Sequence, residues 1–293
     1  MAKVVWGSAD GSSDQAVALL WQQLQQLGWL STSERRFVLH IAPTPGRSIA
    51  VETARSLTQW LQRCMPERCI EIIDAGAQAA QWEPLRVIDI AQQPRFCVDA
   101  ACLRGGAQVP ELWLESFTLI TIVAIAPDTR LRISAALAAQ AGLLDVGEGR
   151  DVDVIYEAHR LVPADVAIAC GTVICGDPAS GHWWAASQDT VSLDAALASA
   201  AGEQPAALPH LRHLAKHELT TLVPEHIGDH PARLQGYLAP GWLTQLRRVA
   251  IGASYIARML TDDITRAAHN LNRAPDFIRR RFPRLASVWR LTA

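Results

Sequence analysis

Cysteine and histidine are the residues of this chain whose spacing bears most directly on chemistry. Six cysteines fall as three pairs, Cys64/Cys69, Cys97/Cys102 and Cys170/Cys175, each C-x4-C. Zinc and iron-sulfur sites more often use C-x2-C, and the C-x4-C of plant-type ferredoxins is followed by a C-x2-C that is missing here. Residues five apart in a strand point to opposite faces, so Cys170 and Cys175 share an ion only if the chain turns at Gly171 or Gly176. Two readings stand: Cys97, Cys102, Cys170 and Cys175 as ligands of zinc or an iron-sulfur cluster, or cysteines as small buried apolar residues. His210, His213 and His217 recur at i, i+3 and i+7, one helical face, with His226 and His230 further on. Imidazoles so spaced suit zinc or another divalent ion. The other reading is a partly solvated stripe beside Leu211, Leu214 and Ala215.

Carboxylates and loops supply the remaining candidates. Asp189 and Asp194 are five positions apart and do not share a helical face. Asp189 suits a helix N-cap, and Asp194 faces inward. Asp177, Asp194 and His210 are the candidates for a catalytic role. Pro43-Thr44-Pro45-Gly46 breaks the chain before a helix opened by Arg47 and Ser48, and a free helix N-terminus beside these side chains suits an anion. The spacing is neither G-x-x-x-x-G-K nor G-x-G-x-x-G, and a turn with an N-cap is the alternative. Gly176, Gly181 and His182 belong to a small-residue loop between an apolar strand and a helix, where α/β proteins commonly place a ligand. Trp183-Trp184 in an extended segment implies one ring inside and one outside.

The elements that must position these residues follow from periodicity. Strands are expected at Lys3–Trp6, Arg36–Ile41, Cys69–Ile73, Leu85–Ile88, Phe117–Ile125, Val152–Tyr156 and from Val166, with Trp183–Ser187 extended. Helices are expected at Gln15–Leu27, Ser48–Cys64, Leu131–Leu143, from Asp189 to a stop at Gly202, and at His210–Leu219. Leu103-Arg104-Gly105-Gly106 reads as a loop. Beyond Pro240 the pattern is mostly helical.

Of the 293 residues, 49% are apolar and 19% charged, ordinary for a globular chain with a large core. No apolar run reaches membrane-spanning length, and MAKVVWGSADGSSD has no signal-peptide core, so a cytoplasmic protein with reduced thiols is expected. The net charge of -2 hides ten Arg against three Asp over residues 240–293. That end suits an anionic partner such as a membrane surface or nucleic acid, or ion pairing with the protein's own acidic body. Lys3 and Lys216 are the only lysines. A phosphate-binding or Schiff-base lysine would have to be one of these.

The block from Asp165 to Leu211 carries Asp165, Gly176, Pro178 and Gly181, then Asp189 and Asp194, then Leu208-Pro209-His210-Leu211. It resembles the large bacterial and archaeal domain-of-unknown-function family 362. That resemblance implies an α/β fold and names no settled reaction. Further upstream, the frame persists at Pro43 and at Gly142-Leu143-Leu144, but polar signatures of the family are replaced. Ala42 and Thr44 stand for its Lys and Asn, Arg130-Leu131-Arg132 for its Lys-x-His, and Ala138-Ala139 for its Lys-Asn. The repeated C-x2-C of ferredoxin-like modules attached to some relatives is missing too. An alanine cannot carry charge or move a proton, so the ancestral chemistry is lost or rebuilt elsewhere.

The expected architecture is α/β, a mostly parallel sheet with helices on both faces, plus a helical C-terminal appendage. Residues 1–225 form the α/β domain and 226–293 the Arg-rich region. Three functions fit: a binding or accessory subunit with a protein partner, a metal- or iron-sulfur-dependent redox enzyme, or a binder of membrane surface or nucleic acid.

Overall fold

The computed structural model describes residues 2–9, 13–30, 36–42, 47–74, 82–128, 131–149, 151–172, 182–217 and 222–228. The region expected as an Arg-rich appendage lies, beyond Gly228, outside the described residues. In chain order, β1 (Lys3–Ala9) leads through α1 (Ser13–Gln26) to β2 (Arg36–Ile41), and α2 (Arg47–Cys64) leads to β3 (Cys69–Asp74) and β4 (Arg86–Ile88). A second, smaller set of strands follows: β5 (Arg95–Val98) and β6 (Arg104–Pro110). The chain returns to the large sheet as β7 (Thr118–Ala124), then forms the short hairpin of β8 (Ala126–Asp128) and β9 (Arg132–Ser134). Then come α3 (Ala136–Ala141), β10 (Asp145–Glu148), α4 (Asp151–Leu161), β11 (Val166–Thr172), β12 (His182–Ser187), α5 (Thr190–Ala200), α6 (Pro209–Lys216) and β13 (Glu225–Ile227).

Eight strands form one sheet in the order β13-β1-β12-β11-β7-β2-β3-β4. Every strand runs parallel to the others except β12, which pairs antiparallel with both β1 and β11. Helices cover both faces, which is why the strands read as continuous apolar runs instead of alternating ones. On one face Val17, Leu20 and Leu24 of α1 and Ala54, Leu57 and Leu61 of α2 pack on Phe37, Leu39, Ile120 and Ile168. On the other, α3, α5 and α6 pack Leu137, Leu193, Leu197, Leu211 and Leu214 on Trp6, Val123, Ala167 and Ala185. The three-stranded sheet β10-β6-β5 covers the rest of that face through Leu103, Ala107 and Val109, packed with Val38, Ile73 and Leu119. Among the described residues, no helix is long and apolar enough to cross a membrane.

Four local expectations are corrected. Val152–Tyr156 is not a strand but part of α4. Its inward residues Ile155, Ala158 and Val162 recur at helical spacing, and Asp151 and Asp153 at its start with His159 and Arg160 at its end suit the helix dipole. The helix expected over Leu131–Leu143 is split into β9 and the short α3, because Arg132–Ser134 pairs back on Ala126–Asp128. Arg104–Pro110 is a strand, paired on one side with β5 and on the other with β10. Finally, Trp183 and Trp184 are both inside, at 2% and 3% exposure, since helices bury both faces of the sheet.

Candidate functional site

The chain order puts a switch point in the sheet. From β2 the connection through α2 runs to β3 on one side, whereas β7 lies on the other side of β2. The crevice beyond the carboxyl ends of such strands is where open α/β sheets hold ligands. Ala42, just past β2, is buried and donates its N–H to the Ile122 carbonyl at 3.3 Å. The 18-residue α2 opens directly over this edge, with Arg47 and Ser48 as its first residues. Their side chains lie outside the described residues, as do Cys175, Gly176, Asp177 and Gly181 of the segment joining β11 to β12. His182 is described: it is half-buried and in register with Thr172 on one side and Ala9 on the other. The described ends of β2 at Ile41 and of β11 at Thr172 thus lie at one edge of the sheet.

Tryptophans and glycines shape the floor. Trp183 lies in register with Gly171 of β11, and Trp184 with Gly7 of β1. A methyl at Gly171 would come within 2.5 Å of the Trp183 ring, and one at Gly7 within 2.2 Å of the Trp184 ring. The glycines therefore make room for one indole on each face. Beside Trp184, a narrow pocket between α1, α2 and β11 reaches Ala16, Val17, Thr53 and Cys170 and has about 10 Å³ open to water centres, room for a single water. Cys170 is no thiolate. It is buried, its Sγ–H donates to the Val123 carbonyl at 3.4 Å, and burial pushes its pKa up to about 12.

The other candidates are dispersed. Asp194 is buried in the middle of α5, and its two oxygens accept N–H groups of Ala136 at 3.0 Å and Leu137 at 3.1 Å. It thereby caps α3, whose own N-cap residue, Ala135, has no side-chain acceptor. Burial raises its pKa to about 7, and the two backbone hydrogen bonds oppose the rise. Asp189 is the N-cap of α5, accepting the Val191 N–H at 3.1 Å. Asp165 works at the opposite edge, where its Oδ2 accepts the Leu119 N–H at 2.7 Å.

The histidine stripe divides. His210 is 2% exposed and packed among the core residues Leu211 and Leu214. His213 instead lies with Nε2 3.5 Å from Asp153 Oδ1 of α4, and its ring meets Tyr156 edge-on at 5.7 Å. His217 also leans on Tyr156, at 4.5 Å between ring centroids. Cys97 is exposed, while Cys102 is half-buried with its thiol raised by burial and by Glu157. Among the described residues, no three His, Cys, Asp or Glu side chains converge as metal ligands. The Asp153 and Tyr156 contacts escape sequence reading because Val152–Tyr156 looks like a strand; the acidic pair Asp151 and Asp153 was the signal for a helix start.

The sequence matches no protein-family model, and no curated protein matches it.

Proposed function

We propose that this chain is a binding or accessory subunit that holds a small anion at the carboxyl edge of its large sheet. The observation that carries this reading is that α2 opens at the carboxyl edge of the sheet, where the parallel strands β2, β7 and β11 all end beside the β2/β7 switch point. The dipole and free N–H groups of an 18-residue helix favour an anion there, and Arg47 adds charge. Family-like chemistry receives no support from the residues now in place. Ala42 and Ala139, where family 362 carries lysine and asparagine, are buried small residues. Asp194 spends both oxygens on a helix cap, and Cys170 is a neutral thiol.

The test is thermal unfolding of the full chain with inorganic phosphate against chloride at constant ionic strength, for wild type and Arg47→Gln. A phosphate-dependent rise in Tm that Arg47→Gln removes supports the reading. No rise in the wild type, or an undiminished rise in the variant, overturns it. Stoichiometric iron or zinc in the anaerobically purified protein would favour the metal-dependent redox reading over this one.

A further inference from the structure

A second site lies away from the switch point, on the side of the molecule formed by the small sheet. An open hollow of about 610 Å³ is bounded by the turn after β5, the start of β6 and α4, with Asp99, Leu103, Gly105, Gly106 and Arg160 in its walls. This volume falls within the range of about 300–1,000 Å³ typical of small-molecule sites.

Its walls carry two opposite charges, Arg160 and Asp99, that are not paired with each other among the described residues. Glu157 of α4 is fully buried. One of its oxygens accepts the Cys102 N–H at 2.9 Å, and the other accepts Arg160 Nη1 at 3.0 Å. A single buried carboxylate thus fixes both the turn that carries Asp99 and the guanidinium of Arg160. The guanidinium also sits 5.7 Å from the centre of the Tyr156 ring. Of its five N–H donors, those not turned to Glu157 remain for a ligand. Asp99 is exposed, and among the described residues its carboxylate enters no hydrogen bond or ion pair. Gly105 and Gly106 have φ of 87° and 76°, a backbone that side chains rarely adopt. A methyl at Gly106 would meet the Val98 carbonyl at 2.7 Å, while one at Gly105 would meet nothing within 4 Å. The glycines keep bare backbone along the hollow, and Leu103, 6% exposed, gives it a small apolar contact.

We propose that this hollow binds a small zwitterion of the amino-acid class, its carboxylate on Arg160 and its ammonium on Asp99. Arginine suits a carboxylate through paired N–H donors. An unpaired aspartate in the same wall selects against simple anions, which it repels, and in favour of ligands that also carry a cation. Leu103 favours an apolar side chain on the ligand. The ligand is bound without covalent chemistry, since the nearby Cys102 is kept as a thiol.

The test is calorimetric or NMR titration of the full chain with L-leucine, acetate and methylamine, for wild type, Arg160→Gln and Asp99→Asn. L-leucine is expected to saturate the wild type, and each substitution to weaken it about tenfold or more. Acetate is expected to bind more weakly than leucine, and to gain rather than lose from Asp99→Asn. Asp99 is exposed and makes no hydrogen bond or ion pair among the described residues, so its substitution tests the site even if Arg160→Gln impairs folding by stranding Glu157. No saturable binding of L-leucine or any other standard amino acid at about 10 mM overturns the proposal, as does binding indifferent to both substitutions. So does acetate binding as tightly as leucine. Phosphate binding at Arg47 is a separate readout and can fail or succeed without touching this one.

Discussion

Asp194 shows how a residue with the profile of a catalytic acid serves the fold. Its pKa, raised to about 7 by burial, lies where a general acid or base would be useful, yet both its oxygens face amide N–H groups of α3. Its titration has a definite sign. The carboxyl titrates near 4 when unfolded, so between about pH 4 and pH 7 the folded state binds more protons. Its contribution to stability is present in full below that window and is lost as pH rises through about 7. Asp194→Asn keeps an acceptor for one of the two N–H groups and cannot ionise. It should cost about 1–2 kcal/mol near pH 4.5, and the gap to wild type should narrow by pH 8. Urea unfolding of both proteins at the two pH values measures this, and a gap that widens with pH contradicts the assignment. That Asp189 caps its own helix was legible, because an N-cap is a local device. That Asp194 caps a helix 57 residues away was not, because only the packing of α5 against α3 brings it there.

At the scale of elements, the parallel unit β2-α2-β3 and the apolar β7 and β11 were legible from length and periodicity. Elements that owe their state to partners were not. Val152–Tyr156 is rich in β-branched and aromatic residues, as a strand is, and only its continuation to Leu161 and its acidic start reveal the helix. The pairing of β12 with β1 from the start of the chain has no local signal either, since Gly7 and Trp184 are so distant in sequence. That pairing makes its own prediction. Gly171→Ala puts a methyl into the Trp183 ring, within 2.5 Å, and should cost about 1–3 kcal/mol through overpacking. Trp183→Leu alone should cost a similar amount through lost burial. In the double variant the leucine vacates the space the methyl needs, so the combined loss should fall short of the sum of the two. Strict additivity in chemical denaturation would show that the glycine does not serve the tryptophan.

At the scale of the described α/β unit, the two edges of the large sheet differ in composition. β1, β2, β3, β7 and β11 all end at the carboxyl edge, where the anion site is proposed. The amino edge is laced by charge. Glu71 of β3 is 1% exposed and is paired with both Arg36 of β2 and Arg86 of β4, while Arg36 also reaches Glu115, just ahead of β7. Four neighbouring strands are tied by one short network. Its two glutamates should nevertheless differ sharply in weight. Glu115 is 60% exposed at its side chain, so Glu115→Gln should change stability by less than about 1 kcal/mol, with the effect screened by salt. Glu71 is buried against two arginines. Glu71→Gln leaves Arg36 without its buried counter-charge and should cost about 3–5 kcal/mol, in high salt as in low. Because the lace lies at the edge opposite the start of α2, the folded fraction of Glu71→Gln should keep the wild-type affinity for phosphate. A stability loss confined to Glu115, or a phosphate affinity that falls with Glu71, would mean that the two edges are not separate in function.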